Sequence, residues 1–260
     1  MIHNILKDKS TRLFIILSAI FITNALIAEV IGVKIFSLEK TFGLTPWQFG
    51  LFGEQVSPFT LTAGVLLWPV VFIMTDIINE YYGVKGVRFL SYMTAALIAF
   101  AFLIYFAAIR LVPVDWWVGS NTAKGEDNMQ TAYHSVLGQS NWIIAGSLLA
   151  FIVGQLVDVT SFHGIKKITG ENKIWLRATG STLISQLIDS FIVIFIAFKV
   201  GADWSWAKVL AISFSNYIYK FIMALVLTPV IYLVHGWIEN YLGKNLASEM
   251  KEGAMKREVR

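Results

Sequence analysis

The sequence predicts an all-α, polytopic integral membrane protein with six transmembrane helices and both termini in the cytoplasm. The prediction rests on composition, on the length of the apolar runs and on the distribution of basic residues. Of 260 residues, 56% are hydrophobic and 15% are charged, and the mean hydropathy is +0.64. A soluble domain carries about 25% charged residues. The sequence has no cysteine, which excludes disulfides and thiolate metal sites.

Six apolar runs reach the roughly 20 residues that a helix needs to cross a bilayer, and none alternates like a barrel strand. They are Leu13–Phe36, Leu61–Tyr82, Phe89–Ile109, Asn141–Phe162, Ala178–Phe198 and Ala207–His235. No small-residue cleavage pattern follows the first run, so we interpret it as a retained helix. We therefore predict a cytoplasmic tail over residues 1–12, a transport domain over residues 13–235 and a charged cytoplasmic tail over residues 236–260.

The basic residues set the predicted orientation. Fourteen of the 21 lysines and arginines fall in the two tails and in the second and fourth loops. The positive-inside rule places that side in the cytoplasm, and an even number of helices agrees. The outer loops Ser37–Thr60 and Val112–Ser140 are long, and they carry Trp47, Trp116 and Trp117. These tryptophans either anchor the chain at the lipid headgroups or belong to a lid over an outward-facing vestibule.

Polar residues inside the second run are the first candidates for a functional site. A carboxylate in hydrocarbon costs roughly 2.5–3.5 kcal/mol on insertion scales, which suggests that such residues have a function. Asp76, Asn79 and Glu80 lie three and four residues apart and therefore share one helix face. For Glu80 the alternative is that it caps the membrane edge or pairs with Lys85 or Arg88.

Two similar tetrapeptides add polar groups to the fourth and fifth runs. Gln155 and Asp158 are three residues apart and share a face, and Gln186 and Asp189 repeat this spacing. The alternative to ligand binding is a purely structural role, because glutamine and aspartate also form hydrogen bonds between packed membrane helices.

The sixth run contains a lysine in mid-membrane. Asn216 and Lys220 are four residues apart, and Lys220 needs a carboxylate partner, for which the aspartates of the earlier runs are the candidates. A structural ion pair is the alternative. In the first run Asn24 is central and is a candidate site residue, whereas Glu29 and Lys34 lie near the outer boundary and are expected to reach water.

Pro69 lies inside the second run and is expected to kink it. The kink either opens space beside Asp76 or is tolerated packing. We therefore predict that Asp76, Asp158, Asp189 and Lys220 converge on one polar chamber shielded from lipid.

With these residues identified, the chain resembles a known family. Residues Thr75–Gly83 resemble the TD-x-x-x-E-x-[YF]-G signature of the queuosine precursor transporters, also called the putative vitamin uptake transporter family. Three later segments are similar to its other signatures: Gly154–Asp158 with Phe162, Ser181–Asp189 with Ala197-Phe198, and Tyr219-Lys220 with Thr228-Pro229. The resemblance implies import of 7-cyano-7-deazaguanine, or its aminomethyl relative, across the bacterial inner membrane for tRNA modification salvage.

The substrate-binding residues follow from this implied function. An ionised carboxylate accepts the ring N–H and the exocyclic amine of a deazaguanine together, and a glutamine serves its carbonyl edge. Four aromatic side chains are then candidates for stacking on this flat heterocycle, namely Trp68, Phe72, Phe162 and Tyr219. We expect Asp76, Asp158 or Asp189 to bind that edge, while Lys220 pairs with a second carboxylate. The partners are thus a small deazaguanine-type base and the lipid bilayer, with no nucleic acid. Assembly of several copies stays open.

Energy supply and competing functions remain open at this level. The sequence lacks a phosphate-binding glycine loop, so a gradient, consumption of the base or a partner has to drive transport. Proton coupling is a hypothesis based on the buried carboxylates and Lys220. The alternative is a membrane subunit that binds a vitamin-like heterocycle for an energised complex. An enzyme is disfavoured because zinc-protease and serine–histidine patterns are absent, and neither a metal nor a cofactor is expected.

Overall fold

The computed structural model describes residues 8–57, 59–120, 128–169 and 174–256. Among these residues, five helical segments are long and apolar enough to cross a membrane. They are Lys9–Ile31, Trp68–Ile109, Met129–Thr169, Trp175–Val200 and Trp206–Leu242. The prediction of an all-α polytopic membrane protein is confirmed.

The helices are numbered in chain order. They are α1 (Lys9–Ile31), α2 (Leu38–Thr41), α3 (Trp68–Ile109), α4 (Asp115–Val118), α5 (Met129–Leu137), α6 (Asn141–Thr169), α7 (Ile174–Ile194), α8 (Trp206–Leu242) and α9 (Lys244–Lys256). A π-helix, Phe195–Val200, continues α7. Side chains fix where the long helices begin: Asp8 accepts from the N–H of Thr11 at 3.0 Å, and Ser205 accepts from that of Lys208 at 3.2 Å.

The 42-residue helix α3 is interrupted at Gly83. This glycine has φ 72° and ψ −177°, a conformation that is essentially restricted to glycine. The helical segment before Gly83 contains Asp76 and Glu80, and the segment after it carries Lys85 and Arg88 followed by 21 residues without a charge. The second and third predicted spans therefore lie on the two sides of this break.

Two predicted boundaries on the side of the first long loop were wrong. Helix α1 ends at Ile31 rather than Phe36, and α3 begins at Trp68 rather than near Leu61. Because Pro69 lies in the first turn of α3, it interrupts no intrahelical hydrogen bond and the predicted kink is not needed. The apolar residues just outside the helices form short strands and a 3-10 turn at Ala63–Leu66.

The segment between α1 and α3 folds into two antiparallel pairs that the sequence did not predict. Strand β1 (Ile35–Ser37) pairs with β4 (Thr60–Thr62), and β2 (Phe49–Leu51) pairs with β3 (Glu54–Val56). We call the end of the bundle that carries these strands the hairpin side. The opposite end, where α1 begins and α8 ends, is called the basic end.

One carboxylate organises the hairpin side. Glu39 accepts hydrogen bonds from the Ser37 hydroxyl at 2.8 Å, the Trp47 N–H at 3.2 Å and the Ser57 hydroxyl at 3.3 Å. Burial acts to raise the pKa of Glu39, but these bonds and its own backbone N–H outweigh that effect and hold the pKa below its usual value. The ionised form of Glu39 therefore stabilises the paired strands.

The long helices pack in a fixed sequence of neighbours. Helix α1 packs on α3, α3 on α6, α6 on α7, and α7 on α8. Helix α7 approaches α6 closely at Gly146, where a Cβ atom would lie 3.2 Å from the carbonyl oxygen of Val193. This close contact of α6 and α7 brings their two glutamine–aspartate motifs to neighbouring surfaces.

The predicted C-terminal tail contains defined structure. Helix α8 continues to Leu242, and α9 follows it and packs against α3 at the basic end. Lys251 of α9 binds Glu239 at 2.5 Å. A Cβ atom on Gly83 would lie 3.1 Å from the carbonyl oxygen of Ala254, so α9 covers the break in α3. Residues 1–7 and 257–260 of the two predicted tails lie outside the described residues.

Candidate functional site

A cavity of about 710 Å³ extends from the hairpin side into the middle of the bundle. Its wall includes residues from α1, α3, α6, α7 and α8, together with residues of the strands such as Gln55 and Thr62. The prediction that Asp76, Asp158, Asp189 and Lys220 converge on one chamber is confirmed, because all four line this cavity. The paired strands also line it, so the first outer loop contributes to its wall.

The deep part of the cavity is formed where α3, α6 and α7 meet. Asp76 and Asp158 are 2% and 6% exposed, and Asp158 accepts a hydrogen bond from the Ser185 hydroxyl at 3.1 Å. Gln155 is also buried, and its Oε1 lies 3.1 Å from the Thr75 hydroxyl. The faces predicted from the three- and four-residue spacings thus bring these side chains to one place.

Two buried acceptor atoms in this wall have no hydrogen-bond partner among the residues that the structure describes. They are Oδ1 of Asp76 and Oε1 of Gln186. Both residues line the cavity. A buried acceptor without a donor costs about 1–3 kcal/mol, more when it is charged. A ligand that donated N–H groups to these two oxygens would remove this cost.

Lys220 has the carboxylate partner that its position required. Its ammonium group binds Oδ2 of Asp189 and so joins α8 to α7 across the cavity wall. Both side chains are partly exposed to the cavity, at 25% and 21%. Asn216, one turn before Lys220, also lines the cavity. Of the three aspartates considered, Asp189 is therefore the partner of Lys220.

Glu29 is a cavity residue that sequence reasoning missed. We expected it to reach water at the membrane boundary, but it lines the cavity near the hairpin side. Its Oε2 accepts a hydrogen bond from the Ser147 hydroxyl at 3.1 Å, and its backbone carbonyl accepts one from Gln139 Nε2 at 3.0 Å. The same signal that selected Asp76, a carboxylate inside an apolar helix, was present at Glu29.

Asn79 and Glu80 lie outside the cavity wall, closer to the basic end. Glu80 is fully buried, and its Oε1 binds Arg177 at 2.7 Å and Lys166 at 3.2 Å. We call these three residues the ion cluster. Asn79 Oδ1 lies 2.6 Å from His163 Nε2. The alternative considered from the sequence was that Glu80 pairs with Lys85 or Arg88, which follow it closely in the chain. The observed partners come instead from α6 and α7.

The positive residues of the ion cluster correct our count of loop charges. Lys166 and Arg177 were counted as loop residues, but they lie in α6 and α7 and are only 2% and 1% exposed. The guanidinium carbon of Arg177 also lies 5.8 Å from the ring centroid of Phe162. A count along the sequence cannot separate a buried cation from a solvated one.

The remaining predicted residues divide between the cavity and other surroundings. Asn24 does not line the cavity, and its Nδ2 donates to the backbone carbonyl of Ile20 at 2.8 Å. Of the four aromatic candidates, three line the cavity, namely Trp68, Phe72 and Tyr219. Phe162 packs instead beside the ion cluster. Substrate binding by any of these residues stays a prediction.

A bundle of apolar helices around a cavity lined by buried carboxyl and amide groups defines a membrane transporter of small molecules. The family model of putative vitamin uptake transporters matches residues 62–234 of the chain. The chain belongs to this family, and it is a multi-pass protein of the bacterial inner membrane.

Three curated relatives support this membership. A probable queuosine precursor transporter of Bacillus subtilis (strain 168) is 34% identical over 184 residues, covering 70% of this chain and 74% of the relative. The queuosine precursor transporter of Escherichia coli (strain K12) is 26% identical over 198 residues, 76% of this chain and 81% of the relative. A probable queuosine precursor transporter of Haemophilus influenzae is 25% identical over 205 residues, 76% of this chain and 78% of the relative. No solved structure matches the chain significantly.

Proposed function

We propose that this chain imports a queuosine precursor, 7-cyano-7-deazaguanine or its aminomethyl relative, across the inner membrane for salvage into modified tRNA. The observation that carries the proposal is the pair of buried, unpartnered acceptors in the cavity wall, Asp76 Oδ1 and Gln186 Oε1. The names of the relatives support the choice of cargo.

The chemistry of the cargo fits the deep part of the cavity. A deazaguanine presents a ring N–H and an exocyclic amine side by side, and one carboxylate of Asp76 or Asp158 accepts both. The amide of Gln155 or Gln186 serves the neighbouring carbonyl edge. Trp68, Phe72 and Tyr219 line the same cavity and offer flat surfaces for the heterocycle.

The proposed topology has six membrane spans, with the break at Gly83 dividing α3 into two of them and both termini in the cytoplasm. The hairpin side then faces outward, and the cavity receives cargo from that side. The ion cluster lies between the cavity and the basic end. On each of the three helices, the cluster residue is closer to the basic end than the cavity residues are. The structure therefore corresponds to an outward-facing state in this proposal.

Proton coupling is the finer part of the proposal. Asp189 and Lys220 form an ion pair inside the cavity, and such intramembrane pairs exchange protons in many carriers. A pH gradient imposed across proteoliposomes should accelerate uptake of labelled precursor. Equal uptake with and without the gradient excludes coupling and leaves import itself intact.

Complementation tests the function directly. The chain is expressed in cells that cannot make the precursor, each precursor is supplied outside, and queuosine-modified tRNA is measured. We expect modification with the unaltered chain. Labelled precursor uptake should fall at least tenfold in whichever of Asp76→Asn and Asp158→Asn removes the binding carboxylate, since that variant loses a charge-assisted hydrogen bond of about 1.5–3 kcal/mol. Asp115→Asn, an exposed aspartate of α4 outside the cavity, is the matched control. Unchanged uptake in both cavity variants contradicts the binding role.

A further inference from the structure

The cavity has an unequal balance of charged groups. Among the described residues that line it, four carry carboxyl groups and one carries an ammonium group. They are Glu29, Asp76, Asp158, Asp189 and Lys220. Lys220 binds Asp189, and in the described part of the chain no basic side chain forms an ion pair with the other three. The cavity wall therefore carries more acidic than basic side chains.

A cationic ligand would correct this imbalance. Carboxylates shielded from water are unfavourable unless they are protonated or meet a positive charge. A second observation points to a ligand rather than to carboxyl groups that are merely crowded. Asp76 and Gln186 line the cavity and are only 2% and 5% exposed, and each has a buried oxygen without a hydrogen-bond partner among the described residues.

The carboxyl groups lie at different depths. Asp76 is eight residues into α3, about 12 Å from Trp68 at 1.5 Å per residue. Glu29 lies two residues before the end of α1. The two helix ends are held together, because a Cβ on Gly64 would lie 2.8 Å from the carbonyl oxygen of Ala28. Glu29 is therefore at the level where α3 begins, well above Asp76.

A substituted deazaguanine also carries polar groups at two separate places. Its amine-bearing edge is on the six-membered ring, and the substituent at position 7 is on the five-membered ring, at the far side of the molecule. When Asp76 or Asp158 binds the amine-bearing edge, the substituent points toward the hairpin side. Ser147 donates to Oε2 of Glu29 at 3.1 Å and so positions its carboxyl group in that region.

We infer that Glu29 determines which precursor the cavity prefers: its carboxylate binds the ammonium group of the aminomethyl arm, and the chain takes this cationic form in preference to the neutral cyano form. The inference rests on the proposed function. A nitrile carries only an acceptor, which a carboxylate repels, whereas an alkylammonium group donates a charge-assisted hydrogen bond.

Uptake of the two labelled precursors into proteoliposomes, separately and in competition, tests this inference. We expect the unaltered chain to favour the aminomethyl compound, and Glu29→Gln to reduce that preference roughly tenfold to hundredfold. The quantity compared is the ratio of aminomethyl to cyano uptake, because Asp76 and Asp158, which are proposed to bind the amine-bearing edge of either compound, are intact in this variant. Glu54→Gln is the matched control, since this glutamate lies in β3 but does not line the cavity.

The outcomes separate the two proposals. If the unaltered chain imports neither compound, the proposed function fails. If it imports both and Glu29→Gln leaves their ratio unchanged, import stands and the role of Glu29 is refuted. Should Glu29→Gln not fold, Glu29→Asp keeps the negative charge and must keep the preference for the aminomethyl compound. A preference for the cyano compound in a folded Glu29→Asp variant overturns the inference.

Discussion

Replacing Lys220 by methionine tests whether the ion pair between α7 and α8 holds the cavity wall together. Methionine keeps much of the length of the side chain but leaves Asp189 without its cation. Removing one partner of a fully buried pair costs about 3–5 kcal/mol, whereas an exposed pair is worth about 0–1 kcal/mol. Because these side chains are 25% and 21% exposed, we expect a loss of about 2–3 kcal/mol.

Thermal unfolding in detergent measures this loss. For a chain of this size 1 kcal/mol shifts the Tm by about 2–4 °C, so Lys220→Met should lower the Tm by roughly 4–12 °C. Lys199→Met is the matched control. Lys199 binds Asp203 at 2.8 Å in an i, i+4 pair, but Asp203 is 92% exposed and the Tm should scarcely change.

A double variant distinguishes stability from transport. Lys220→Met combined with Asp189→Asn leaves no uncompensated charge, so most of the lost stability should return. Uptake of labelled precursor should nevertheless stay low, because the ion pair lines the cavity. The reasoning is refuted if Lys220→Met unfolds at the same temperature as the unaltered chain, or if Lys199→Met is equally damaging.

Three further substitutions have expected results. Glu80→Gln removes the carboxylate that both cations of the ion cluster bind, and the loss should be about 3–5 kcal/mol in thermal unfolding; an unchanged Tm would contradict this. Gly83→Ala places a Cβ at φ +72° and 3.1 Å from the Ala254 carbonyl oxygen, so we expect a loss of about 1–3 kcal/mol and faster proteolysis of α9. Gly236→Ala, with open space around it, is its control. Glu39→Gln should weaken the strands by about 1 kcal/mol, seen as faster proteolysis between α1 and α3. Because the pKa of Glu39 is lowered by folding, its contribution is present above the unfolded pKa near 4.5 and is lost as the pH falls through the folded value. Proteolysis of the unaltered chain should therefore accelerate in acid and that of Glu39→Gln should not; equal acceleration would refute the role of Glu39.

The convergence of Asp76, Asp158, Asp189 and Lys220 could be predicted because two physical rules apply within each helix. Polar groups in hydrocarbon are costly, so they turn toward one another, and the helical repeat determines which residues share a face. Neither rule needs knowledge of the loops. The partner of Lys220 could not be chosen from among the three aspartates, since that choice depends on how α7 and α8 are placed.

The predicted start of the second span, near Leu61, was wrong because hydropathy does not define a helix end. The residues between Leu61 and Leu67 are apolar, and apolarity alone does not separate the end of a helix from a strand or a 3-10 turn. A proline is tolerated in the first turn of a helix, so Pro69 was a start signal that could have been used. The prediction for Glu29 was wrong because a position near the membrane surface was taken to mean contact with water, whereas Glu29 lines the cavity.

The ion cluster shows why spacing within one helix does not settle function. Asp76 and Glu80 are four residues apart and share a face, about 6 Å apart along the axis. Asp76 nevertheless lines the cavity, whereas Glu80 binds Arg177 and Lys166 from two other helices. The floor of the cavity therefore lies within the one turn of α3 between Asp76 and Glu80. Any opening of the cavity toward the basic end therefore has to separate charges that are buried together.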